Sequence, residues 1–101
     1  MAAVLTHEEF RKHLNTTFRI ELNESEMIDL ELVQVSEQKL SRVQERFSVV
    51  FRGANESFLG QGMRALEHDQ MGRLNLFLVP FSRDEKGTYY EAVFNHLRKD
   101  C

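Results

Sequence analysis

Cysteine is almost missing from this chain of 101 residues, and what little there is stands in a place that rules things out. Cys101, the last residue, is the lone cysteine, so no internal disulfide can form and a disulfide-stapled scaffold is excluded. It is also not four from the end, where a prenylation box needs it. Long apolar runs are missing too. The longest, "LFLVPF" from Leu76 to Phe81, falls far short of the ~20 residues of a membrane span. The start, "MAAVLTHEEF", lacks the basic residues and apolar stretch of a secretory signal. Nor does one sign of charge dominate. The formal net charge is −3, with acids and bases interleaved, which leaves no electrostatic footprint for nucleic acid or an anionic membrane. Internal repeats and low-complexity segments are absent. These absences lead to the expectation of a cytoplasmic protein with no membrane association.

What is present is ordinary globular material. Hydrophobic residues make up 42% and charged residues 29%, unlike a disordered chain. The length argues for a single domain with one core. Within it the expectation is an N-terminal arm over 1–5, a helix over 6–15, a β domain over 16–95 and a polar tail over 96–101.

The helix is announced by "LTHEEF". Thr6 can accept from the backbone N–H of Glu9, and the Glu9 carboxylate can reach back to the N–H of Thr6, which is a capping box. Leu5 before the cap and Phe10 after it are spaced as a hydrophobic staple. Phe10 and Leu14, at i and i+4, give one narrow apolar stripe. So short a helix must dock on something.

The period then changes to two. "FRIEL" alternates Phe18, Ile20 and Leu22 against Arg19 and Glu21, "IDLELVQV" follows the same rule, and "NESE" supplies the turn between them. At Leu32–Val33 the alternation slips by one, which predicts a β-bulge or a strand buried on both faces. "SEQKLSRVQER" has no strand pattern and reads as a loop with one helical turn carrying Leu40 and Val43. Further strands are expected in "FSVVF", "MRALE", "LNLFLVPF" and "TYYEAVFN", with a turn at "SRDEKG". The fold expected is therefore mainly β: a small antiparallel barrel or sandwich of about six strands with one short N-terminal helix.

Candidate sites are few. Glu67, His68 and Asp69 form an acid–imidazole–acid trio, the residue types of metal sites and acid/base catalysts. Consecutive residues on a strand point to opposite faces, however. The other histidines, His7, His13 and His96, lack a ligand-like spacing to it. "DQMG", with Gly72 where a positive φ would be wanted, reads instead as a turn. The Gly60–Gln61–Gly62 element lacks the third glycine and the following helix of a dinucleotide site. Ser48, Ser57 and Ser82 lack a nucleophile elbow. No cofactor is implied. Phe18, Phe47, Phe51 and Phe94 fall on apolar strand faces, as core rather than as stacking platforms, and Lys39, Arg42 and Arg46 are diluted by Glu37 and Glu45. Nucleic acid is thus a disfavoured partner.

"LFLVPF" is the better lead. Leu74, Leu76 and Leu78 make one apolar row, and Phe77, Val79 and Phe81 a second, where a sheet with one wet face should be polar. Phe10 and Leu14 of the helix could cover part of the second row, and Tyr89 and Val93 could extend it. The alternatives are a second layer of the domain or a contact with a protein partner or another copy of the chain. The expected interaction surface is Phe77, Val79, Phe81 and Tyr89. Two other readings stay open: a ligand or nucleic acid held at a barrel mouth by "GANESFLGQG" and Arg52, and a metal or hydrolytic site around His68.

In the order "LTHEEF", "FSVVFRG", "LEH…G.L.LFLVP" and "YYEAVFN", the chain resembles, from about Leu5 to Asn95, a family of short bacterial proteins carried as an uncharacterised domain. The resemblance implies a small β-rich domain with an N-terminal helical turn, and brings no activity, cofactor or catalytic residue. Some relatives look like neighbours of phage-tail-like collar proteins, which implies a structural or accessory role. The stretch "SEQKLSRVQER" departs from the shorter, glycine-bearing linker the family leads one to expect.

Overall fold

The computed structural model describes residues 6–97. It is a closed antiparallel barrel of six strands with one short helix. The elements in chain order are α1 (His7–Lys12), β1 (Thr17–Asn23), β2 (Glu26–Val35), β3 (Lys39–Leu40), β4 (Gln44–Gly53), a 3₁₀ turn (Asn55–Ser57), β5 (Gly62–His68), β6 (Gly72–Asp84) and β7 (Gly87–Leu97). Strand order is β2-β1-β5-β6-β7-β4, and β2 also pairs with β4, which closes the ring. The two-residue β3 hangs outside, on the edge of β4.

Alternation along each strand builds the core. Phe18, Ile20, Leu30, Leu32, Phe47, Val49, Phe51, Leu66, Leu74, Leu76, Leu78, Tyr90 and Ala92 all point inward and are buried, as period-two patterning requires. The expected bulge is there: the β2–β4 register shifts between Leu32 and Gln34. The long β6 serves two neighbours in turn. Gly72–Leu78 pairs with β5, and Val79–Asp84 with β7. A second bulge falls between Pro80 and Ser82, leaving Phe81 as the extra residue. Pro80 lies within β6 opposite Tyr90 and beside this bulge, a place where a missing N–H is tolerated.

The helix closes one end of the barrel. The Thr6 side chain accepts from the Glu9 N–H, which is the first half of the expected capping box. The Glu9 carboxylate faces Lys12 and His13 instead, each at 3.9 Å. Leu5, the other half of the staple, lies outside the described residues. Phe10 is fully buried against Phe47 and Phe94, with ring centroids 6.2 and 5.2 Å away. It thus caps the core and covers none of the outer row of β6, and Leu14 stays exposed.

At the other end, the backbone N–H of Leu59 donates to the Tyr90 hydroxyl at 2.9 Å. Leu59 is buried there as a stopper. Asn55 ties the same loop to the β6–β7 hairpin: its side chain accepts from Arg83 Nε and the Thr88 hydroxyl and donates to the Asp84 carbonyl.

Three expectations are corrected. Residues 36–46 hold no helical turn; Lys39 and Leu40 pair with Arg46 and Glu45, and Gln38 donates to Glu45 across the same hairpin. Ser82–Asp84 belongs to β6, so the "SRDEKG" turn shrinks to Glu85–Lys86. His96 and Leu97, expected in the tail, extend β7 against Glu45 and Gln44. In all three, residues without a strand pattern of their own are in strand because a partner strand supplies the backbone bonds.

Candidate functional site

The outer face of β5, β6 and β7 carries the candidate site. Phe77 pairs across the ladder with Met63 of β5, and both side chains are turned outward, 46% and 64% exposed. Two residues on, Val79 lies on the same face, half-buried, opposite Glu91 of β7. The bulge after Pro80 leaves Phe81 56% exposed, and beyond it Arg83 pairs with Thr88 and donates to Asn55. Val93, two residues from Glu91, is 60% exposed. The result is an apolar strip running along β6 and flanked by β5 and β7. Other exposed apolar side chains, such as Met27, Leu40 and Phe58, are dispersed over the barrel and need no explanation.

Tyr89 is held rather than free. It is half-buried, and its hydroxyl lies 3.1 and 3.3 Å from the two carboxylate oxygens of Asp84. The Lys86 backbone N–H holds the Asp84 carboxyl below its ordinary range, and the Tyr89 hydroxyl adds to this. Of the four expected interaction residues, the barrel brings Phe77, Val79 and Phe81 onto one exposed strand face, with braced Tyr89 beside them. Met63 was missed; the signal was its position opposite Phe77 once "MRALE" and "LNLFL" are joined by a hairpin.

The acid–imidazole–acid trio is pulled apart. Glu67 points outward and faces Arg73 at 3.7 Å, and Asp69 pairs with Arg19 at 3.0 Å. Only Asp69 lies in the turn, Glu67 and His68 being the last residues of β5. His68 points inward and is 7% exposed. Its Nδ1 accepts from the backbone N–H groups of Gln70 and Met71, both at 3.1 Å, and its Nε2 lies 2.9 Å from the Thr16 hydroxyl. Two N–H donors aimed at Nδ1 fix the tautomer: the ring proton is on Nε2 and is donated to Thr16, whose own hydroxyl donates to the His13 carbonyl at 2.6 Å. Both nitrogens are engaged in hydrogen bonds within the fold, so in this arrangement neither offers a free lone pair. Burial lowers the His68 pKa, the nearby His13 and Arg19 lower it further, and Asp69 opposes this. Among the described residues no group of three or more His, Cys, Asp or Glu side chains is placed to hold a metal ion.

The turn that follows is as expected. His68 pairs with Gly72, the three residues between them make the loop, and Gly72 has φ +80°. Near the loop "GANESFLGQG" Leu59 is buried with its N–H donated to the Tyr90 hydroxyl, and Arg52 is paired with Glu31. A shallow hollow of about 300 Å³ lies elsewhere, between β3, β4 and β7, bordered by Lys39, Arg46, Ser48, Glu91 and Val93. Phe18, Phe47 and Phe51 are core, as expected, with Phe94 packed against them. No helix among the described residues is long and apolar enough to cross a membrane.

No curated protein and no solved structure matches the chain. Residues 5–94 match the model of the family described as "Domain of unknown function (DUF6916)", and the chain belongs to that family.

Proposed function

We propose that this barrel is a non-enzymatic interaction or structural module that docks on a protein partner, or on another copy of itself, through the outer face of β6. The observation that carries the reading is the apolar strip of Met63, Phe77, Val79, Phe81 and Val93 on a barrel whose core is already complete without it. A sheet face exposed to water is ordinarily polar, and a contiguous exposed apolar patch marks a contact surface. The engagement of both His68 nitrogens supports the same reading, because it removes the one imidazole that stood in an acid-rich cluster. Cytoplasmic placement in a bacterium, and an accessory role in a phage-tail-like assembly, are part of the proposal and rest on the family resemblance.

Light scattering over a concentration series separates the two kinds of partner. Self-association predicts a mass that rises with concentration in the wild type and stays monomeric in the Phe77→Ser, Phe81→Ser double variant. A wild type that is monomeric throughout leaves a different protein as the occupant.

A further inference from the structure

The helix, the β5–β6 turn and the buried histidine are linked by one chain of hydrogen bonds. Gln70 and Met71 donate to His68 Nδ1, His68 Nε2–H donates to Thr16, and Thr16 donates to the carbonyl of His13, the C-cap of α1. The His13 ring also lies against the His68 ring, centroids 4.6 Å apart. At the other side of the helix Phe10 seats on Phe47 and Phe94. Six residues of helix are too few to hold themselves, so α1 stays in place by these attachments together with the His7 Nε2 contact to the Ser36 carbonyl and the Asn15 N–H bond to the Leu32 carbonyl.

We infer that α1 is an acid-released plug, with His68 as the latch: a proton on Nδ1 breaks the chain that fastens the helix to the barrel. The reasoning is geometric. Nδ1 in the closed form faces two N–H donors, so a proton there meets donors where it needs an acceptor. Both turn bonds must be given up and the ring must move, which breaks the Nε2–Thr16 bond that ties the His13–Thr16 end of the helix to β5.

The charged surroundings offer the proton little compensation. From α1, His13 faces His68, and a charge on both rings is repulsive. From β1 comes Arg19, also a cation. From the turn comes Asp69, the sole anion acting on His68 in this group, and it is exposed and already paired with Arg19. Glu9 of α1 faces His13 rather than His68. Releasing the helix uncovers Phe47 and Phe94, an apolar surface separate from the β6 strip. The device is therefore a regulated second surface, independent of whether the β6 strip docks anything.

The test is amide hydrogen exchange followed by NMR at pH 7.5 and 5.0, corrected for intrinsic exchange rates. The reporters are Asn15, whose N–H donates to the Leu32 carbonyl, and Gln70 and Met71 in the turn; Val49 and Tyr90 report on the barrel. In the wild type, protection at Asn15, Gln70 and Met71 should fall at least tenfold at pH 5.0 while Val49 and Tyr90 keep theirs. In His68→Asn, whose side-chain oxygen can replace Nδ1 as acceptor and gains no charge, the pH dependence should vanish. Unchanged protection in the wild type overturns the inference. So does loss at all five positions together, or a His68→Asn variant that responds like the wild type. Ring nitrogen shifts of His68 at pH 7.5 give a check that needs no variant: a proton found on Nδ1 rather than Nε2 removes the latch.

Discussion

Nε2 of His68 lies 2.9 Å from the hydroxyl of Thr16, joining the end of β5 to the residue before β1 across 52 positions of sequence. Replacing His68 by Ala leaves two turn N–H groups, one of them buried, and the Thr16 hydroxyl without their partner. Each such loss costs about 1–3 kcal/mol, so His68→Ala should lower unfolding stability by roughly 2–4 kcal/mol. Thr16→Val keeps the turn bonds and should cost clearly less. Chemical denaturation of the two variants checks the order; equal costs would show that the turn bonds contribute nothing.

The same histidine sets a pH dependence. Its folded pKa is lowered from the ordinary 6.5, so the unfolded chain binds the proton more readily. The His68 contribution to stability is then fully present above about pH 6.5 and is lost as pH falls from there through the folded value. Denaturation midpoints of wild type between pH 7.5 and 5 should decline, and those of His68→Asn should decline less. Parallel curves would contradict the assignment.

Much of this architecture is visible in the residue order. Period-two runs gave the strands, and the parity slip at Leu32–Val33 gave the bulge, because one extra residue must shift every later side chain to the other face. Lys39–Leu40 was not visible: a two-residue strand has no period, and it exists through its cross-strand partners Arg46 and Glu45. The same holds for Ser82–Asp84 and for His96–Leu97, strand ends kept in place by β7 and β4. That His68 is buried is not evident from its two acidic neighbours. Its parity with Leu66, two residues earlier on the inward row, was the signal that places it inside. Phe77, Val79 and Phe81 were legible as an apolar second row, but only the position of α1 decides that nothing in the described chain covers them.

Gly87 supplies a backbone prediction. Its φ is +154°, and a Cβ there would run into the Gly53 carbonyl oxygen and come within 2.9 Å of Arg52 Cγ. Strain from the dihedral and collision with backbone act together, so Gly87→Ala should cost about 2–4 kcal/mol. Gly72→Ala meets open space and carries the dihedral cost alone, about 1 kcal/mol. Thermal unfolding of both variants tests this, and the reverse order would be inconsistent with the close approach of β4 and the β6–β7 turn.

Tyr90→Phe removes the acceptor for the Leu59 N–H without changing the volume of the core. A loss of about 1–2 kcal/mol is expected, with the change in amide exchange concentrated at Leu59 and its loop. No change in exchange at Leu59 would mean that the stopper is held by burial alone.

The docking face is tested most directly by affinity capture from cells of the native source, comparing the wild type with Phe77→Ser, Phe81→Ser at matched amounts. Both residues are largely exposed, so the double variant should fold with stability within about 1 kcal/mol of the wild type. The account predicts a defined protein, another species or the chain itself, that the wild type retains and the folded variant loses. Equal retention by both, or a variant that fails to fold because these side chains are core, would contradict it.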